Sequence, residues 1–151
     1  GEKISVWVYS NCDEVQLTVN GRRLARKKMP KNGHLEWDAV YKPGYVKAVG
    51  YKGGRKVMET RIETTGTAEE AVWTYETVGD IMIANVAMHD AKGRFVPTAN
   101  CPVEFTAPEG WRILGWGNGD PAFQYDERPE GGADTISITT FNGLAQVILQ
   151  K

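Results

Sequence analysis

The chain has 151 residues, 41% hydrophobic and 25% charged, which suits one ordinary globular domain or two small ones. No apolar run approaches the roughly 20 residues a helix needs to cross a bilayer, so insertion into a membrane is not expected. The net charge of −1 hides an asymmetry: residues 1–66 hold 13 Lys/Arg against 7 Asp/Glu, whereas residues 67–151 hold 5 against 12.

From the start of the chain the dominant period is two. The opening "GEKISVWVYS" lacks the basic region and apolar core of a signal peptide, and reads as a start inside a longer protein. It alternates Ile4, Val6 and Val8 with Ser5, Trp7 and Tyr9, the pattern of a half-buried strand. "VQLTV" places Val15, Leu17 and Val19 on one face, and "HLEWDAVY" does the same with Leu35, Trp37 and Ala39. Asn20-Gly21 predicts a hairpin into "RRLARKKM", and Gly53-Gly54 another between "YVKAVGY" and "KVMETRIETT". The polar stretch "TTGTAEEA" coincides with the charge reversal and predicts a linker there, with domains at 1–66 and 67–151.

The second part offers six further strand-like runs: "AVWTYETV", "IMIANVAMHD", "CPVEFTA", "WRILGWG", "DTISITT" and "LAQVILQK". Asp90-Ala91-Lys92-Gly93 closes a turn, and Pro97, Pro102 and Pro108 mark strand ends or edges because proline cannot donate to a ladder. "YDERPEGGAD" (125–134) reads as a mobile surface loop. No segment keeps the helical period over three turns. The expected fold is all-β, two tandem immunoglobulin-like β-sandwich domains, the first a trimmed version that leans on a neighbour.

Several residue groups are candidates for chemistry. The basic run Arg22, Arg23, Arg26, Lys27, Lys28 and Lys31 has no interleaved aromatics for base stacking, so a solvated edge strand is expected and no nucleic acid. Cys12 and Cys101, one in each part, are expected unbonded; with His34 and His89 isolated, no metal site is expected. Trp7 and Trp37 read as core aromatics, whereas Trp111 and Trp116 flank a glycine loop and are the candidates for exposure and sugar contact. Carboxyls are plentiful (Glu104, Glu109, Asp120, Asp126, Glu127, Glu130), but most sit in loops, which support catalytic geometry poorly.

The glycine loop itself, "GWGNGDP" (115–121), lacks a following Lys-Ser/Thr, departs from GxGxxG at Asp120, and leads into Pro121 rather than a helix. A phosphate or cofactor site is therefore not expected. Asn118 and Asp120 suit Asx turns, and Asn142-Gly143 in "TFNGLA" is a second turn of the same chemistry; all four are expected to be structural.

Longer stretches carry a resemblance. "YSNCDEVQLTVNG", "LEW" and "PGYVKAVGYKGG" are similar to the short immunoglobulin-like domain that follows the catalytic barrel in bacterial family 2 glycoside hydrolases of the β-galactosidase type. "HDAKGRFVPTANCPVEF", "ILGWGNGDP" and "FNGLAQVILQ" resemble the final β-sandwich domain of the same enzymes, and the order of the two is kept. The acidic segment 125–134 is the departure. The resemblance implies that the catalytic glutamates lie on a (β/α)8 barrel outside this chain, so no catalytic, cofactor or metal residue is carried over. It further implies the barrel of the same polypeptide as partner, homodimer formation by the intact enzyme, and a periplasmic or secreted bacterial location. Two other readings stay open: a carbohydrate-binding module stacking sugar on Trp111 or Trp116, and an adhesin-like β-sandwich repeat.

Overall fold

The computed structural model describes residues 1–122 and 134–151. The segment 125–134 and its carboxyls Asp126, Glu127 and Glu130 lie outside them, apart from Asp134. Among the described residues there are twelve strands and no helix, in two compact units, Gly1–Thr64 and Thr65–Lys151. Each unit is a β-sandwich of immunoglobulin type, a four-stranded antiparallel sheet faced by a two-stranded one.

In the first unit β1 (Lys3–Val8) pairs with β4 (Leu35–Val40) to form the small sheet. β2 (Glu14–Val19), β3 (Arg22–Lys28), β5 (Tyr45–Lys52) and β6 (Arg55–Glu63) form the large one, in the order β3-β2-β5-β6. The expected hairpins are present: Asn20 and Gly21 have φ of 47° and 83°, and Gly53 and Gly54 have 54° and 76°. Positive φ at both central residues is what a tight hairpin between right-twisted strands requires. The core gathers Val15, Leu17, Leu35 and Trp37, with Val6, Val8, Leu24, Val46 and others packed around them.

"KVMETRIETT" departs from the half-buried strand that its period suggests. Along β6 Val57, Met58 and Ile62 are exposed, Ile62 to 74%. Two facing strands cover the middle of a four-stranded sheet and leave its margin bare; β6 contributes nothing to the core. β3, the opposite margin, is the solvated basic edge strand expected.

The second unit pairs β9 (Pro102–Thr106) with β11 (Thr135–Thr139) against a sheet of β7 (Ala68–Val78), β8 (Ile81–Asp90), β10 (Arg112–Gly117) and β12 (Leu144–Gln150), ordered β10-β12-β8-β7. Pro102 opens its strand, as expected of a residue without an N–H. Strict alternation on β12 buries Ala145, Val147 and Leu149. They meet Val103, Phe105, Ile136 and Ile138 from the small sheet, and Val96 and Ala99 from the β8–β9 connection close one end.

Candidate functional site

The glycine loop leaves β10 at Gly117, and its polar side chains turn back onto the chain. Asn118 Nδ2 donates to the Thr139 carbonyl at 2.9 Å, fastening the loop to the end of β11. Asn118 Oδ1 accepts from Asp120 N (2.9 Å), and Asp120 Oδ1 accepts from Ala122 N (2.8 Å), two successive Asx turns. Three residues beyond Thr139, Asn142 and Gly143 form the second turn, with φ of 52° and 81°. Asn142 N donates to Asn100 Oδ1, Gly143 N donates to the Ala99 carbonyl, and a Cβ at Gly143 would strike the Val96 carbonyl. The geometry uses these polar atoms within the fold.

The tryptophans exchange the places expected of them. Trp111 and Trp116 are half-buried, Trp111 against the Phe105–Val147 cluster and Trp116 against both clusters of the second unit. Trp37 is core, its indole N–H donating to the Ala25 carbonyl, but Trp7 is 55% exposed. The period of β1 already places Trp7 with Ser5 and Tyr9 on the face opposite Ile4, Val6 and Val8; the burial usual for tryptophan is overridden by strand geometry. Trp7 stacks on His34 with centroids 4.2 Å apart and planes 20° off parallel, and Tyr9 approaches the same imidazole at 5.4 Å. The Trp7 indole N–H donates to Ser5 Oγ (2.9 Å), and Ser5 Oγ donates to Glu36 Oε1 (2.5 Å). The Ser5 hydroxyl above all, and then Trp7, hold the Glu36 carboxyl below its usual range.

The other candidates separate. Glu104 and Glu109 are exposed on β9 and on the turn after it, without the rigid pairing that acid-base work needs. Within the basic run, Arg26 pairs with Glu14 and lies 3.7 Å over the Tyr51 ring, and Lys27 donates to the Glu36 carbonyl. Cys12 is buried, Cys101 half-buried, and both are free thiols. No cluster of three or more His, Cys, Asp or Glu suits a metal ion among the described residues. A cleft of about 710 Å³ in the first unit has Val19, Leu24, Ala39 and Val40 among its walls and Lys3, Arg22, Asp38 and Lys42 around it. It presents one carboxylate, and no base stands beside a nucleophile there.

One charged centre escapes sequence reading. Asp90 is 3% exposed and accepts from Gly66 N (2.8 Å), Lys92 N (2.9 Å), Arg94 N (3.0 Å) and the Arg94 side chain (2.6 Å at Nη2). The Arg94 guanidinium, and after it the Gly66 amide, hold its carboxyl far below the usual carboxylate range. The turn Asp90–Gly93 is legible in the sequence; the capture of Gly66, 24 residues earlier, leaves no local signal.

The motif residues of the first unit also have structural tasks. Asn20 Oδ1 accepts from Tyr45 N at 2.6 Å and its Nδ2 reaches the carbonyls of Lys42 and Pro43. That carboxamide fills the space where a Cβ of Gly44 would stand, and Gly44 has φ of 147°. Asp13 Oδ2 caps the Gly53 amide at 2.7 Å. Gly50 leaves room for the Cys12 sulfur and Met58.

Comparison with known proteins agrees with this architecture. Residues 1–58 match the model of a domain of unknown function, DUF4982. The beta-galactosidase BoGH2A of Bacteroides ovatus is 33% identical over 130 residues, 80% of this chain and 15% of that protein. A beta-glucuronidase of Formosa agariphila is 33% identical over 134 residues, again 80% of this chain and 14% of its own length. The chain thus spans about one-seventh of the curated relatives it matches. A glycosyl hydrolase family 2 member from Bacteroides cellulosilyticus superposes over 100% of this chain and 21% of its own, with a TM-score of 0.83 and 27% identity. A beta-glycosidase from Bacteroides vulgatus gives 0.80 and 25% over 20% of its length. In sequence and in fold, this chain is the immunoglobulin-like β-sandwich segment of a family 2 glycoside hydrolase.

Proposed function

We propose that this segment is a non-catalytic accessory part of a bacterial β-glycosidase, supporting a catalytic barrel carried elsewhere on the same polypeptide. The observation that carries the reading is the use made of the motif residues: Asn20, Gly44, Asp13, Asn118 and Gly143 all fix turns and connections. The described carboxylates that are held in place, Asp90 above all, are engaged as structural acceptors. The bare apolar margin of β6 suits a unit that is covered by further protein. The relatives named beta-galactosidase and beta-glucuronidase point to a β-linked glycoside as substrate of the whole enzyme, and to a bacterial periplasmic or secreted setting. The four loop residues Asn118, Asp120, Asn142 and Gly143 belong to the scaffold, and homodimer formation belongs to the intact enzyme.

The test is activity. The purified 151-residue chain is expected to leave nitrophenyl β-galactoside and β-glucuronide intact, while a full-length enzyme carrying it cleaves one of them. Turnover by the chain alone, lost when one of its own Asp or Glu residues is replaced, overturns the reading.

A further inference from the structure

We propose that the outer face of the β1–β4 sheet is a binding platform for a neutral oligosaccharide, with Trp7 as its centre. This goes beyond the accessory role and stands or falls independently of it.

Three features single out this face. The first is a large aromatic ring left more than half exposed on a two-stranded sheet, with Tyr9, just past the end of β1, 68% exposed. The second is rigidity. His34 lies against one side of the Trp7 ring, and the hydrogen bonds from Trp7 to Ser5 and from Ser5 to Glu36 fix its rotation, so little side-chain freedom remains to be lost on binding. The third is the company it keeps. Glu36 and Asp38 stand opposite Trp7 and Ser5 in register, hence on the same face, and both are exposed.

The chemistry of the occupant follows from that combination. The C–H face of a pyranose carries weak positive charge and is apolar, complementary to the negative face of an indole. Its hydroxyls are donors, and an ionised carboxylate, the form the hydrogen bonds to Glu36 favour, offers acceptors only. Glu36 and Asp38 outnumber Lys3 on this face and disfavour uronates, sulfates and phosphates, so uncharged sugars suit it better.

The experiment is a titration of the ¹⁵N-labelled 151-residue protein with cellotetraose, β-1,4-galactotetraose and xylotetraose, with tetragalacturonic acid as the charged control. At least one neutral tetrasaccharide is expected to shift the Trp7 indole N–H and the amides of residues 5–9 and 34–38, saturably, while the uronate does not. Trp7→Ala, at an exposed position, should keep the rest of the spectrum and weaken binding at least about tenfold; Trp7→Phe should retain most of it. Absence of these shifts with all three neutral sugars at about 10 mM, their survival in Trp7→Ala, or shifts centred on Trp111 or Trp116 instead would overturn the proposal.

Discussion

Among the described residues the two units have the same strand count and the same division into four and two, yet they bury very different cores. The first buries six apolar residues, four of which, Val15, Leu17, Leu35 and Trp37, form its central cluster. The second has twelve, in two adjoining clusters. Sheet count does not account for the difference. In the second unit the β8–β9 connection adds Val96 and Ala99, and Trp73, Trp111 and Trp116 reach in from the margins, so all four strands of the large sheet have cover. In the first unit no residue of β6 joins the central cluster. A sandwich with a two-stranded lid needs loops or large side chains to complete its core, and only the second unit supplies them from its own chain.

The largest expected effect exploits that asymmetry. Trp37→Ala should cost about 3–5 kcal/mol, against a total of roughly 3–10 kcal/mol for a domain of this size. Residues 1–64 are then expected to lose amide protection against hydrogen exchange while residues 65–151 keep theirs. Leu149→Ala, at about 2–5 kcal/mol, should weaken the second unit and leave it folded. If the first unit tolerates its substitution better than the second does, core size is the wrong explanation.

The second expected effect concerns Asp90 and has a definite sign in pH. Its carboxyl is held well below 3.8, the ordinary value, in the folded state. Its contribution to stability is therefore complete above pH 3.8 and is lost as the pH falls from there towards the folded-state value. The second unit should lose stability steeply below pH 3.8, and Asp90→Asn should flatten that limb. At neutral pH the same variant leaves Arg94 without its carboxylate and weakens the hold on Gly66, with an expected fall in melting temperature of roughly 10 °C. An unchanged acid limb would assign it to other carboxylates.

What could be read in the sequence, and what could not, divides by distance along the chain. Period-two patterns located β1, β2, β4 and β12, and Asn20-Gly21 and Gly53-Gly54 located their hairpins, because each is a local property of a few residues. The exposure of β6 was not legible: "KVMETRIETT" alternates well enough, and its bareness depends on a facing sheet too narrow to reach it. Nor was the binding of Asp90 to Gly66. For Trp7 the period and the residue type pointed to opposite faces, and the period prevails. Trp111 and Trp116 illustrate the reverse, since glycine-rich surroundings suggest a solvated loop while the fold turns both rings inward.

A third expectation sharpens the reading of the first unit, where a small core is supplemented by side-chain to backbone ties. Gly44→Ala places a methyl group where the Asn20 carboxamide lies, in a backbone conformation that L-residues rarely adopt. The cost should be about 1–3 kcal/mol, measurable as a shift of the denaturation midpoint at unchanged slope. Asn20→Ala would relieve the clash but lose the Tyr45 tie, so the double variant should recover only part of the loss. Full recovery would mean that the tie contributes nothing.

The smallest effect lies in the glycine loop, and it separates two residues that look alike in sequence. Asn118 reaches across to Thr139 on another strand, whereas the described bond of the Asp120 carboxylate goes to Ala122, two residues away. A bond that spans 21 residues holds parts of the fold together; one that spans two orders only its own turn. Asn118→Ala should therefore cost about 0.5–1.5 kcal/mol, or several degrees in a unit of this size at roughly 4–8 °C per kcal/mol. Asp120→Ala should cost less, because Asp120 is half-buried and its loss leaves the cross-strand tie intact. Calcium adds a further discrimination. One Asn and one Asp offer few of the roughly 6–8 oxygens that ion takes, and Asn118 Oδ1 already accepts the Asp120 amide. Melting curves of the wild type and of Asp120→Ala should accordingly coincide in their response to added calcium. Stabilisation of the wild type alone would turn this loop from scaffold into a binding site.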